Sequence, residues 1–475
     1  MTHALHSTPS YHRYHISTAD TPDIVPWPPR FNVKVKRAGL AKLLITEIIH
    51  TKGDMEVVFS RPCMYGVFSG PVGGFAPRPE HCVGCLRCTT SYPEWVSVQP
   101  NPELRKLGDS YFNFNFVNAV AYESQSGRVP VRGAGYRGEF GGEGWDGMWT
   151  DMSEIVRPTR DGIHGREFIS TAVDIGHKPN HLIFDGNGQP AGEVPHTFSI
   201  PVPFLFDAPP AGVATDALYK ILSQAAEAVE TLVLLPPRAI VEHNLRGPHI
   251  VPLITSADLD LLRILPSAPK LILVDGWTPD VDSALYETIR ARFPDALIGL
   301  QTAFVGGEDL LNLVQMGLRV FHFTADYHGQ GPRGEFVFDL IREAHLTLVK
   351  AGIRETVTLL GSGGIIAAEH VPKAIIAGLD AVVLNTPLLV ALQARFNGDF
   401  VHARNDNCRL PKNLNVPWGV QRLKNLSASW RDQLLEILGA MGIREVRRLR
   451  GEIGRAMFQK DLEREAFGDI EGYPG

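Results

Sequence analysis

The 475-residue chain has little cysteine, five residues in all, far below the density of a disulfide-stapled secreted domain. It also lacks a marked excess of either charge. Its 46 Lys and Arg against 52 Asp and Glu leave a formal −6, which excludes the basic surplus of a general nucleic-acid binder. Long apolar runs are missing too. The two best are Val194 to Phe206, broken by three prolines, and Ala381 to Ala394, bounded by Asp380 and Arg395. Neither approaches the ~20 residues a spanning helix needs. The opening MTHALHSTPSYHRYH has no apolar secretory core, so a cytoplasmic location is expected. Glycine and proline, by contrast, are plentiful at 46 and 35, which predicts a chain rich in turns. With 44% apolar and 21% charged residues, the chain can bury a large core. Its length allows two or three domains, or one large barrel with extensions.

Residues 1 to 30 are polar and rich in His and Pro; a flexible arm is expected there, rather than a metal tract built on His3, His6, His12 and His15. Leu40, Leu43, Leu44, Ile48 and Ile49 give Ala38 to Ile49 an amphipathic helical spacing. The division read from the sequence is an arm and helix over 1–55, a cysteine-rich segment over 56–108, and an irregular extension over 109–197. A barrel over 198–396 follows, then a connector and helical tail over 397–475. In the barrel, short apolar runs alternate with helical patterns. The strand candidates are Ile200–Phe206, Thr231–Leu235, Ile250–Ile254, Leu271–Val274, Leu297–Leu300, Val320–Phe323, Val357–Leu360 and Ala381–Leu384. Eight strands joined mostly by helices predict a parallel (β/α)₈ barrel of α/β class. A doubly wound open sheet is the alternative, but it wants a glycine-rich turn after its first strand, where Asp207-Ala208-Pro209-Pro210 stands instead. The tail mixes Arg and Glu as a solvated, charge-laced helix does.

Three of the five cysteines fall within seven positions, Cys82-x-x-Cys85-x-x-Cys88, followed by Tyr92-Pro93. Ferredoxins use this spacing with a fourth Cys before the Pro. Tyr92 in that place implies a single cluster. A 4Fe–4S centre needs one more ligand, for which Cys63 is the nearest candidate and Cys408 the other. A three-ligand 3Fe–4S centre is the fallback. Zinc or three free thiols suit two overlapping pairs on one short loop less well. An iron–sulfur centre implies one-electron transfer, with a second redox centre nearby.

After the seventh strand candidate comes Gly361-Ser362-Gly363-Gly364, and after the eighth Asn385-Thr386. Barrel enzymes commonly hold a phosphate there, where glycine lets backbone N–H groups approach the oxygens and Ser362, Asn385 and Thr386 add side-chain donors. Other strand ends offer ring and substrate contacts: Asp207, Asp275, Gln301 and the Thr324–Gly331 loop. Within that loop, Asp326 and His328 are candidates for acid–base work.

The segment GSGGIIAAEHVPKAIIAGLDAVVLNTPLLVAL resembles the FMN-phosphate region of the glutamate synthase family. LIREAHLTLVKAGIRETVTLL resembles the helix and strand before it, and DMSEIVRPTRDGIHGREFISTAVDIG the segment before the family's barrel. NLNVPWGVQRL and ILGAMGIREVRRLRG resemble its end. The likeness runs from about residue 145 to 455. It implies a TIM barrel, bound FMN, an adjacent iron–sulfur centre, and chemistry on small imine, amino-acid or keto-acid substrates. It also implies a larger complex, with a redox partner subunit, a ferredoxin or an NAD(P)H reductase. Departures stand out. Val416-Pro417 replaces an expected Cys-Pro, Gln301 replaces an expected lysine, and the sixth loop is reduced to HGQGPRG. No glutaminase segment is expected in this chain. Gln301 is accordingly the substituted candidate at the reacting end, and an electron-relay subunit without turnover of its own is the alternative.

Overall fold

The computed structural model describes residues 14–56, 63–71, 73–130, 142, 144–150, 168–192, 194–276, 279–403 and 407–470. His3, His6 and His12 lie outside the described residues, as do residues 151–167 of the family-like stretch that precedes the barrel.

Short runs of Val, Ile, Leu and Phe, buried on both faces, form the strands of a parallel sheet covered all round by helices. They are β1 (Phe204–Phe206), β2 (Val233–Leu235), β3 (Ile250–Ile254), β4 (Leu271–Asp275), β5 (Leu297–Ala303), β6 (Val320–Thr324), β7 (Thr358–Ser362) and β8 (Ala381–Leu384). Each pairs in parallel with its neighbour in sequence, and β8 returns to β1, so the eight close into a barrel. The fold is the expected (β/α)₈ barrel. Its helices are α1 (Asp216–Val229), α2 (Pro237–Glu242), α3 (Leu259–Leu262), α4 (Pro279–Arg292), α5 (Gly307–Gln315), α6 (Val337–Lys350), α7 (His370–Ala377) and α8 (Thr386–Ala391). The Thr215 side chain caps α1 by accepting the Leu218 N–H, and Glu230 ends it in the left-handed region. All eight residues of α7 are buried. A helix buried all round needs cover on its outer side, and the C-terminal tail supplies it near Val446–Leu449.

One expected strand is divided. Ile200 closes a separate antiparallel hairpin, Val173–His177 with His196–Ile200, while β1 starts only at Phe204. Pro201 and Pro203 interrupt the run and cannot donate to a ladder. The hairpin plugs the bottom of the barrel. The Thr358 hydroxyl there donates to the Gly176 carbonyl at 2.8 Å and accepts the Gly176 N–H at 3.0 Å.

The arm differs from the expected loose terminus. Within residues 14–30, Ile16 is buried and Asp23 meets Arg422 at 3.0 Å. The Ile24 and Val25 N–H groups donate to the Gln393 side chain. Arg422 lies on the long helix Val416–Ala440, which packs on α1 and on the helix Phe114–Ser126. The cysteine-rich segment has a small core of its own, made of Val67, Phe68, Cys88 and Val96, beside the paired strands Phe31–Val35 and Val96–Pro100. The predicted helix before it forms over Arg37–His50, but only Leu40 and Leu43 are buried; Ile45 and Ile49 face solvent.

Candidate functional site

The C-terminal ends of the strands gather a polar chain inside the barrel mouth. Gln301 on β5 donates from Nε2 to Asp275 Oδ1 on β4 at 3.1 Å. A carboxylate only accepts, so this bond fixes the amide orientation and leaves Gln301 Oε1 facing His322 Nδ1 on β6 at 2.8 Å. Nδ1 must then carry the proton, and His322 Nε2 accepts from the Ser362 hydroxyl on β7 at 3.1 Å. Burial pushes the His322 imidazole down to about 3, so it stays neutral in this relay. Asp207 lies across the mouth at the end of β1. Burial drives its carboxyl up to about 7, against the pull of the Ala208 N–H and the Asn385 amide, with the Asp275 charge adding to the rise. Asn385 in turn accepts the Thr386 N–H at 2.6 Å and the Thr386 hydroxyl at 3.2 Å. Asp207, Gln301, Ser362, Asn385 and Thr386 therefore share one end of the barrel.

The glycine loop after β7 adopts backbone that only glycine takes easily, with φ of 111° at Gly363 and 67° at Gly364. Its surroundings are close-packed. A Cβ on Gly363 would lie 2.7 Å from both the Ala325 Cβ and the Asp326 carbonyl, and one on Gly364 would lie 3.0 Å from the Tyr111 hydroxyl. Loop packing thus demands these glycines before any ligand does. Both residues are buried, and neither N–H has an acceptor among the described residues. Buried donors left in that state cost free energy, and an anion would relieve it. The loop is braced from behind. Tyr111 donates to the Gly364 carbonyl at 2.9 Å, and His370 Nδ1 accepts the Ile366 N–H at 3.2 Å. Asp146 holds the other His370 nitrogen at 3.2 Å.

Asp326 and His328 do not sit as a free acid–base pair. Asp326 Oδ1 accepts the N–H groups of His328 and Gln330, shaping its own loop. His328 Nε2 meets Asp109 at 2.8 Å, and its ring stacks on Tyr111. Burial lowers the affinity of His328 for its proton, but Asp109 outweighs this and raises it. Asp326 thus shapes the sixth loop, and His328 ties it to the extension.

The cysteines fall into two groups. Cys63, Cys82, Cys85 and Cys88 line one pocket with Val33, Phe68 and other apolar groups. Burial raises the thiols of Cys82 and Cys88, and the neighbouring cysteines raise them further. Backbone N–H groups of Gly84 and Thr89 donate to those two sulfurs and pull the other way. Four crowded thiolates repel one another unless cationic charge lies between them. Soft donors, N–H···S bonds and an apolar shell fit an iron–sulfur cluster. The enclosed space is about 10 Å³, so a cubane would require the exposed Cys85 to swing outward. Cys408 stands apart, buried in a short antiparallel pairing with Phe396, its thiol pushed up to about 12 by burial.

The model of the conserved region in glutamate synthase matches residues 337–444, which spans α6 to the long C-terminal helix. An archaeal-type glutamate synthase (NADPH) from Dehalococcoides mccartyi is 24% identical over 434 residues, covering 79% of this chain and 86% of that one. An archaeal glutamate synthase (NADPH) from Archaeoglobus fulgidus is 23% identical over 461 residues, covering 82% and 88%. The chain resembles the glutamate synthases. Among solved structures, the flavin-binding domain of baker's yeast flavocytochrome b2 is similar at 13% identity and a TM-score of 0.42, over 70% of this chain and 80% of that one.

For a glutamate synthase-like chain, the sequence missed the groups that hold the site together. His322 stands in an apolar run, Val-Phe-His-Phe, where a strand assignment hides an inward polar residue. Its position, one pair before the strand end, was the available signal. His370, Tyr111 and Asp109 gave none, because their partners lie on distant segments. Among the described residues no helix is long and apolar enough to cross a membrane.

Proposed function

We propose that this protein is an FMN- and iron–sulfur-dependent oxidoreductase of glutamate synthase type. Cys63, Cys82, Cys85 and Cys88 would hold a cluster supplying single electrons, the barrel mouth would hold flavin, and the substrate would be a small imine, amino acid or keto acid. The observation that carries the reading is the gathering of Cys63 with the three loop cysteines in one pocket, away from Cys408. FMN, when bound, exchanges single electrons with a cluster and a hydride with carbon. The Gly363 and Gly364 N–H groups are the donors for its phosphate, with Ser362, Asn385 and Thr386 around them. Asp207 and the neutral Gln301–His322 pair would border the bound flavin with polar groups that carry no cationic imidazole.

Gln301 also favours a second reading, a relay subunit. It is bonded to Asp275 and His322, where the resemblance expects a lysine. Electron supply from an NAD(P)H reductase, a ferredoxin or a partner subunit belongs to both readings.

Anaerobic purification with flavin and iron analysis tests the proposal. Flavin bands with a broad iron–sulfur shoulder are expected, and a colourless protein, or zinc in place of iron, overturns it. In single Cys→Ser variants, loss at Cys82, Cys85 and Cys88 with conversion to a 3Fe–4S EPR signal at Cys63 is the expected pattern. Conversion only in Cys408→Ser would move the fourth ligand to the connector. Turnover with a panel of amino and keto acids separates the enzyme from the relay.

A further inference from the structure

A second cavity lies at the opposite end of the barrel from the mouth. It holds about 570 Å³, within the range of small-ligand sites. Its floor is the start of β5 and β6, near Leu297 and Val320. One wall is the plugging hairpin, through His177 and His196, and the other is the end of α4, through Tyr286 and Arg290. Arg319, just after α5, completes the ring.

Among the described residues that form it, the charge of this lining is one-sided: two arginines and two histidines, with no Asp or Glu. Arg319 Nη1 donates to the Val314 and Leu318 carbonyls, which closes the end of α5. Carbonyls accept the hydrogen bond but leave the positive charge uncompensated. Arg290 lies over the Tyr286 ring and makes no ion pair among the described residues. His196 Nε2 is anchored on the Asp295 carbonyl at 3.1 Å, which orients the ring at the rim. Two arginines on separate elements, lining one cavity with an aromatic ring and an apolar floor, suit an anion attached to a flat body.

We infer that this cavity binds a phosphate-bearing metabolite up to nucleotide size, with Arg290 and Arg319 on the phosphate and Tyr286 against the ring. The site is separate from the barrel mouth and independent of the redox reading.

Calorimetric titration of the purified protein with AMP, in saturating FMN so that the mouth phosphate site is filled, tests it. Saturable binding with a Kd below about 1 mM is expected, weakened about tenfold in Arg290→Gln by loss of a charge-assisted contact. Arg290 is exposed, so this variant should melt with the wild type; Arg290→Lys should recover part of the affinity. Inorganic phosphate binding as tightly as AMP would assign the site to free phosphate and remove Tyr286 from it. No saturable binding, binding equal in Arg290→Gln, or citrate outcompeting AMP would overturn the inference.

Discussion

Inside the barrel mouth, His322 and Asp207 titrate in opposite senses over the same pH range. The folded-state pKa of His322 is depressed to about 3, so between that value and about 6.5 only the unfolded chain takes up the proton. This group therefore removes stability as pH falls, by about 2 kcal/mol at pH 5. Asp207 is raised to about 7, so between about 4 and 7 only the folded chain holds its proton, and this group removes stability as pH rises. The two slopes offset. In flavin-free protein, Asp207→Asn is expected to make urea stability rise more steeply with pH across that window. His322→Asn is expected to make it fall instead. Parallel curves for both variants and the wild type would show that neither group is desolvated as described. His322→Leu additionally strands the Gln301 carbonyl and the Ser362 hydroxyl, a cost of about 2–4 kcal/mol in urea unfolding.

The loop after β7 is packed so closely against the loop after β6 that even Gly363→Ala places a methyl carbon 2.7 Å from the Asp326 carbonyl. With φ at 111°, the substitution should cost about 2 kcal/mol and halve, at least, the flavin retained on gel filtration. Gly363→Asp should remove flavin altogether and keep the iron–sulfur absorbance; unchanged flavin stoichiometry would place the phosphate elsewhere. The strands of this barrel were legible because a doubly covered strand reads as an unbroken apolar run, as in Leu-Ile-Leu-Val of β4. The cysteine cluster was legible because Cys82, Cys85 and Cys88 lie within one turn-rich segment. What could not be read was pairing across the chain. Nothing local to Asp109 announces His328, 219 positions later, and the run from Ile200 to Phe206 hid a change of sheet that only its two prolines hinted at.

Across the whole molecule, the arm and the long C-terminal helix are locked by a buried cation. Arg422 is fully buried, donating to the Ala391 and Thr21 carbonyls, to Ser124 and to Asp23. Removing the carboxylate leaves the guanidinium buried without its counter-charge, so Asp23→Ala should cost about 3–5 kcal/mol. A midpoint in urea within error of the wild type would show that the carbonyls alone suffice. Arg354, Arg450 and Asp380 form a similar knot beneath β7 and β8, tying the tail to the barrel.

The arm's bonds to Gln393, Trp418, Arg422 and Asn425 join positions 368 to 406 residues apart. Translation at about 5–20 residues per second separates the synthesis of Asp23 and Arg422 by roughly 20–80 s. For that interval the arm has its earlier partners, Gln125 for Thr21 and Val229 for Tyr14, but lacks those on the long C-terminal helix. A ribosome-bound chain halted before Arg422 lacks the anchors Arg422 and Asn425, so protease should cut the arm around Ile16 and Thr21, both buried in the finished protein, faster than in the complete protein.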